Sequence, residues 1–190
     1  MIGPEDQQRL LALARRALEA RVRRRLLPLA ERGGALDWTR GAFVTIHWHG
    51  NLRGCLGRIE PEAPLADTIS QLAASVSDSD PRFDPVSALE LDAIDLEISV
   101  LTPGREIRAI TEVEVGRHGL IVEQGTRDGL LLPQVAIEHG WDAPTFVSHA
   151  CLKAVLPADA WRDGARMWVF EAQVFGESSQ ASGAQPRASC

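Results

Sequence analysis

From Ile94 to Val100, apolar and polar side chains alternate strictly along the chain. Successive side chains of a β-strand point to opposite faces of its sheet, so this pattern predicts a half-buried strand over residues 94–101. The polar face carries Glu97 and Ser99, whereas the apolar face needs a covering layer. The segment therefore commits the chain to a sheet with one face in a hydrophobic core.

The rest of the sequence supplies partner strands and helices for such a sheet. Residues 42–48 are rich in β-branched and aromatic side chains, and the turn residues His49-Gly50-Asn51 separate them from a second strand. Because helices and strands are mixed along the chain and most strand connections look antiparallel, we expect an α+β fold of mixed helices with antiparallel sheets. The predicted helices cover residues 4–30, 64–77, 134–139 and 144–154, with a short one at 87–91, and the further strands cover residues 52–59, 119–123, 129–133 and 167–175.

Composition argues against several classes of protein. The chain has 190 residues and a net charge of −6, which disfavours nonspecific attraction to nucleic acid and to anionic membranes. We interpret the arginines at residues 21–25 as a solvated helix end rather than a nucleic-acid site. No apolar run reaches the roughly 20 residues that a membrane helix needs. The first residues also lack a secretory signal, so we predict a cytoplasmic protein with no membrane partner.

The three cysteines, Cys55, Cys151 and Cys190, are far apart and form no CxxC pair. Structural zinc sites and disulfide frameworks use closely spaced or more numerous cysteines, so we expect neither, and we expect a reducing compartment. Cys151 lies in a helical stretch and is interpreted as a core cysteine. Cys190 belongs to a polar run of small residues over 177–190, which predicts a disordered C-terminal tail.

Cys55 has the sequence context of a reactive thiol. Arg53 lies two residues away on the same predicted strand, where its guanidinium would favour the thiolate over the thiol. Gly54 and Gly57 flank the cysteine, and glycines inside a strand often mark a place where a ligand approaches the backbone. Cysteine is also among the most buried residue types, so the local residues alone favour a structural cysteine over a reactive one.

A catalytic cysteine needs a base, and histidines supply the candidates. His47 lies on the strand predicted to pair with that of Cys55, while His118 lies in a glycine-flanked turn, where ligand contact and backbone capping are both open. Gln134 would either cap a helix or bind a ligand. His47, His49 and Cys55 form a conceivable metal set, but an HxH pair is weak evidence, so we predict no metal and assign no cofactor.

Several separated blocks of the chain stand in a characteristic order. They are Gly41-Ala42-Phe43-Val44-Thr45, Leu52-Arg53-Gly54-Cys55-Leu56-Gly57, Asp80-Pro81-Arg82-Phe83, residues 96–103, 116–120, 130–136, Trp141-Asp142, 151–154 and Trp168-Val169-Phe170. In this order they resemble the AMMECR-type family, whose bacterial and archaeal members are called AmmeMemoRadiSam system protein A. The resemblance covers about residues 8–176. It departs at Leu56, where isoleucine is usual, and at Asp84, where proline is usual.

This resemblance implies an α+β fold with two unequal lobes, each with an antiparallel sheet, and a cleft lined by Arg53, Gly54 and Cys55. Residues 1–176 would form the whole domain. The resemblance also implies company with a Memo-type protein and a radical S-adenosylmethionine enzyme. It supplies no reaction, because the biochemical role of the family is unsettled, but it moves the interpretation of Cys55 towards function.

Two functions are therefore open. An enzyme or enzyme subunit would use Cys55 as a nucleophile or covalent carrier, Arg53 to orient a small anionic substrate, and His47 or His118 to move protons. A non-catalytic binding or adaptor module would instead dock a partner protein or a small anion on the Arg53-Gly54-Cys55 surface, with the cysteine in a structural role.

Overall fold

The computed structural model describes residues 1–178 of the chain, which form two compact units. The first unit comprises Met1–Leu101 together with residues 173–178, and the second comprises Thr102–Ala172. Each unit contains one four-stranded sheet and its own hydrophobic core. The predicted α+β class with antiparallel sheets is confirmed. Residues 179–190, most of the predicted tail, lie outside the described residues.

The elements follow one another in chain order. The helices are α1 (Pro4–Val22), α2 (Leu65–Ser75), α3 (Pro133–His139) and α4 (Ala143–Lys153). The strands are β1 (Ala42–Trp48), β2 (Asn51–Arg58), β3 (Ile94–Leu101), β4 (Arg105–Ile107), β5 (Gly119–Gln124), β6 (Arg127–Leu131), β7 (Arg166–Phe170) and β8 (Ala172–Gly176). Among residues 1–178, no helix combines the length and apolarity needed to cross a membrane.

The predicted first helix ends eight residues early, at Val22 instead of residue 30. Its start agrees with the prediction, since Pro4 occupies the first turn and Glu5 complements the helix dipole. The end is set by Arg24, whose φ of 53° is left-handed and cannot continue an α-helix. The arginine cluster therefore straddles the end of α1.

The sheet of the first unit runs in the order β2-β1-β3-β8. Strand β1 pairs antiparallel with both β2 and β3, and Val44 lies opposite Leu56 and Ile98. These apolar residues belong to the hydrophobic core that also contains the buried faces of α1 and α2. One face of the sheet thus packs in that core, and the side chains that alternate with it point to the second face.

The sheet of the second unit runs in the order β4-β7-β5-β6, with a core that includes Phe146 and Cys151 of α4. The prediction of one strand over residues 167–175 is wrong, because β7 and β8 belong to different sheets. Glu171 interrupts the run: its N–H donates to Thr102 Oγ1 and its carbonyl accepts from the Thr102 N–H, both at 2.8 Å. These bonds occupy the backbone of Glu171 at the point where the two strands separate.

Candidate functional site

Three polar side chains lie side by side on adjacent strands of the first sheet. Thr45 of β1 lies opposite Cys55 of β2 and also opposite Glu97 of β3. Residues directly opposite one another share a face of the sheet, here the face away from α1 and α2. All three are buried, with Thr45 3% exposed and Cys55 and Glu97 8% exposed each. We call these three residues the polar row.

The Cys55 sulfur has a hydroxyl neighbour within the polar row. Thr45 Oγ1 donates a hydrogen bond to Cys55 Sγ at 3.3 Å. A hydrogen bond donated to sulfur favours the thiolate, because the charged form is the better acceptor. Cys55 is disulfide-bonded in this structure, so the expectation of no disulfide, which rested on the wide spacing of the cysteines, is wrong. Its thiol chemistry therefore belongs to the reduced protein.

Asp80 holds the backbone of Cys55 in place. Its carboxylate accepts the Cys55 N–H at 2.9 Å, and it also accepts the Arg82 guanidinium at 2.8 and 3.0 Å and the Arg82 N–H at 3.1 Å. The Arg82 guanidinium holds the pKa of Asp80 well below its usual range, although the carboxyl is only 4% exposed. The Asp-Pro-Arg sequence by itself predicts only a turn. In the structure its aspartate also fixes the backbone of the strand that carries the cysteine.

Glu97 is also a buried acid, but unlike Asp80 it has no hydrogen-bond partner among the described residues. Within residues 1–178 its side chain makes no hydrogen bond and no ion pair. Burial, reinforced by the negative charge of Asp95, raises the pKa of Glu97 to about 7. Sequence reasoning missed this residue as a functional candidate, because alternation assigned it to the polar face without indicating that the face is buried at that point.

Arg53 does not contact the polar row in the contacts that the described residues make. It is the extra residue of a β-bulge, since Leu52 lies opposite His47 and Gly54 lies opposite Ile46. Bulges re-aim side chains, and this guanidinium donates to Glu90 Oε1 at 2.7 Å and to a loop carbonyl at 2.9 Å. That Arg53 orients an anionic substrate stays a prediction. In this structure the positive charge of Arg53 is already paired with Glu90.

The two glycines around Cys55 are approached by protein atoms. A Cβ on Gly54 would lie 3.1 Å from both the carbonyl oxygen and a methyl carbon of Val76, which follows α2. A Cβ on Gly57 would lie 2.1 Å from the ring of Phe43, the residue opposite it on β1. Packing therefore accounts for both glycines, and their contact with a ligand stays a prediction.

The predicted histidines divide between the two units. His47 of β1 lies opposite Asp95, two residues from Thr45 and on the same face of the sheet. His118 and Gln134 belong to the second unit. His118 is 5% exposed, and its Nδ1 accepts the Glu114 N–H at 3.0 Å. This hydrogen bond caps the backbone of the turn, as one of the two interpretations of His118 expected. Among residues 1–178, no three His, Cys, Asp or Glu side chains are grouped to hold a metal, so His47, His49 and Cys55 do not form a metal set there.

Comparison with known proteins gives consistent matches over nearly the whole chain. The AMMECR1 family model matches residues 11–175. A protein of Methanothermobacter thermautotrophicus is 43% identical over 185 residues, covering 93% of this chain and 96% of that protein. Protein MK0488 of Methanopyrus kandleri is 43% identical over 187 residues, covering 91% and 89%. The crystal structure of an uncharacterized protein, PH0010 from Pyrococcus horikoshii, is 38% identical with a TM-score of 0.80 and covers 93% of each chain.

Proposed function

This chain belongs to the AMMECR1 family, and on that premise we propose that its polar row is a reactive-thiol site centred on Cys55. In the reduced protein, the Cys55 thiolate would attack an electrophilic atom of a substrate. The observation that carries this proposal is the position of the Thr45 hydroxyl, whose Oγ1 lies 3.3 Å from the Cys55 sulfur and would donate to the thiolate once the disulfide is reduced.

The surroundings of Cys55 suit a nucleophile better than a packing cysteine. A structural cysteine such as Cys151 is 0% exposed and lies among apolar side chains, and burial raises the pKa of its thiol. Cys55 instead lies between a hydroxyl and a strand backbone held by Asp80. In the reduced protein these contacts would limit the freedom of the sulfur before the reaction, which is how positioned nucleophiles gain rate.

The family supplies the proposed setting of this chemistry. We propose that the chain acts together with a Memo-type protein and a radical S-adenosylmethionine enzyme, and that it contributes the thiol while those proteins contribute other steps. Co-purification of the three reduced proteins tests the assembly. Binding that is lost only in Cys55→Ser would indicate a covalent or thiol-dependent complex.

Thr45→Val is expected to lower the rate of Cys55 alkylation at neutral pH about tenfold. A hydrogen bond to a charged group contributes about 1.5–3 kcal/mol in proteins generally, so its loss should raise the pKa of the thiol by about one or two units and reduce the fraction of thiolate. The measurement is iodoacetamide labelling of the reduced protein, with peptide mass spectrometry separating Cys55 from Cys151. A Cys190→Ala background removes the third thiol.

Two variants control for indirect effects. Thr45→Ser keeps a hydroxyl and is expected to retain most of the rate, whereas Thr68→Val removes a different buried hydroxyl of the first unit and is expected to leave Cys55 unaffected. If wild-type Cys55 is labelled no faster than the fully buried Cys151, the thiol proposal fails.

A binding or adaptor module is the second candidate. It is favoured by the rigid support of the Cys55 strand, since Arg53 is tied to Glu90 and the Cys55 N–H to Asp80. Arg53→Glu would break a partly buried ion pair, so the surface is better probed at the exposed Arg58. Loss of partner binding in Arg58→Glu, with full binding by Cys55→Ala, would favour this second function.

A further inference from the structure

Glu97 is a buried acid that has no partner among residues 1–178. Every fully buried side-chain nitrogen and oxygen within residues 1–178 has a hydrogen-bond partner. The Glu97 carboxyl makes no hydrogen bond or ion pair there, so its oxygens must keep some contact with solvent although the residue is only 8% exposed. A carboxylate in such a place loses most of its hydration without gaining a partner, which is unfavourable until a donor or a cation arrives.

The charges around the polar row leave it negative. Asp95 lies two residues from Glu97 on β3, and on β1 the titratable neighbour is His47, opposite Asp95. On β2 it is Cys55 itself, while β8 carries no titratable side chain. The nearby guanidinium groups are occupied, because Arg53 pairs with Glu90 and Arg82 pairs with Asp80. Arg15, which also interacts with the charge of Asp95, pairs with Glu177. A thiolate on Cys55 would add a further negative charge to this face.

From this arrangement we infer that the substrate of the Cys55 site carries a cationic nitrogen, an ammonium or guanidinium group, that pairs with Glu97 while its reacting atom meets the sulfur. The inference rests on the proposed function and deepens it by naming the class of substrate. Glu97 and Cys55 are two strands apart, about 10 Å between backbones, and their side chains leave the same face. The cation and the reacting atom therefore lie within one small molecule or one side chain.

The charge preference can be measured with three thiol reagents of the same chemistry: aminoethyl, methyl and sulfonatoethyl methanethiosulfonate, which transfer a cationic, a neutral and an anionic group. The Cys55 thiolate attacks the sulfenyl sulfur, a new S–S bond forms, the S–S bond of the reagent breaks, and methanesulfinate leaves with the electron pair. Rates on the reduced Cys190→Ala protein are divided by those on a small free thiol, which removes intrinsic differences between the reagents.

We expect the normalised rate of the cationic reagent to exceed that of the anionic reagent by on the order of 100-fold at about pH 8, since one charge at this separation changes each rate about tenfold. Glu97→Gln should reduce the ratio to below about tenfold. Asp92→Asn, which removes an exposed acid of the same unit, should leave the ratio unchanged. Lowering the pH to about 5.5 should have the same effect on the wild type as Glu97→Gln, because Glu97 is then protonated.

The outcomes separate this inference from the proposed function. If Cys55 reacts with none of the reagents, the reactive-thiol proposal itself fails. Two other results are a Cys55 that reacts readily with equal normalised rates for the cationic and anionic reagents, and a rate ratio that is unchanged in Glu97→Gln. Either result would support the reactive-thiol proposal and contradict the proposal of a cationic substrate. An anionic preference would overturn it as well and would favour the anionic ligand predicted for Arg53.

Competition distinguishes two sources of the cation. Butylamine represents a free small amine, and N-acetyl-lysine amide represents a lysine side chain of a protein. Protection of Cys55 from the neutral reagent by butylamine alone assigns a small molecule, and protection by the lysine derivative alone assigns a protein side chain. Protection by neither, at concentrations that leave the rate on a free thiol unchanged, counts against the pairing with Glu97.

Discussion

Asp80→Ala is expected to lower the free energy of unfolding by about 2–3 kcal/mol at neutral pH, because it leaves a buried N–H unsatisfied and removes charge-assisted hydrogen bonds. The variant leaves the Cys55 N–H without its acceptor and removes the partner of the Arg82 guanidinium. Because an unpaired buried N–H adds its own desolvation cost, the loss should exceed that of an ordinary exposed ion pair. Urea denaturation of the reduced wild type and variant measures the difference.

The effect of Asp80 should depend on pH with a definite sign. The folded-state pKa of Asp80 is depressed, so its contribution is fully present above the unfolded pKa of about 4 and is lost as the pH falls below that value. The difference between wild type and Asp80→Ala should therefore shrink under acid conditions. A control is Asp78→Ala, which removes a more exposed ion pair with Arg21 in the same loop and should cost about 1 kcal/mol or less. An equal decrease in the free energy of unfolding in the two variants would show that Asp80 does not stabilise the Cys55 strand beyond an ordinary ion pair.

Glu97→Gln is expected to raise the free energy of unfolding by about 3 kcal/mol above neutral pH. The folded-state pKa of Glu97 is raised to about 7 by burial and by Asp95, so the folded protein binds more protons than the unfolded chain between about pH 4.5 and pH 7. Wild-type stability falls across that window as the pH rises and then levels off. Glutamine does not titrate, so the advantage of the variant should be absent near pH 4.5 and complete near pH 8.

Denaturation at several pH values measures this second effect, with Glu106→Gln as a control for an exposed glutamate. That control should change stability by no more than about 0.5 kcal/mol at any pH. A Glu97→Gln variant that is less stable than the wild type above neutral pH would mean that the carboxylate has a stabilising partner. A gain in stability together with a loss of substrate preference is the trade-off typical of functional residues.

Local patterns in the sequence were sufficient for most elements of the fold. Strand β3 has the predicted bounds, because its alternation is uninterrupted and each apolar residue enters the core. The division between β7 and β8 was not predictable in the same way, since residues 167–175 contain only two polar residues, Glu171 and Gln173, and therefore predict one strand. Where the two strands separate, the backbone of Glu171 is bound by the N–H and the hydroxyl of Thr102, a residue far away in sequence.

The candidate site was only partly visible in the sequence, for a related reason. Cys55 stood out through its own neighbours, but its supporting partner Asp80 lies 25 residues further along. The spacing that suggested an Arg53–Cys55 pair assumed regular alternation, and the bulge at Arg53 breaks the regular pairing of the strand. Glu97 was placed on the correct strand face, yet the burial that gives it an unusual pKa depends on tertiary structure.

Both proposals require that Cys55 and Glu97 interact electrostatically across Thr45, and a carbon-13 NMR titration measures that interaction. Reduced Cys190→Ala protein, labelled at cysteine Cβ and at the glutamate carboxyl carbon, reports the ionisation of both groups. We expect the Glu97 carboxyl to titrate near pH 7, and Glu97→Gln to lower the pKa of the Cys55 thiol by about one unit, since a negative charge is removed at about 10 Å. If Glu97 titrates at the ordinary pKa of a glutamate, and the pKa of the Cys55 thiol is the same in Glu97→Gln as in the wild type, the two groups do not interact and both proposals about Glu97 are wrong.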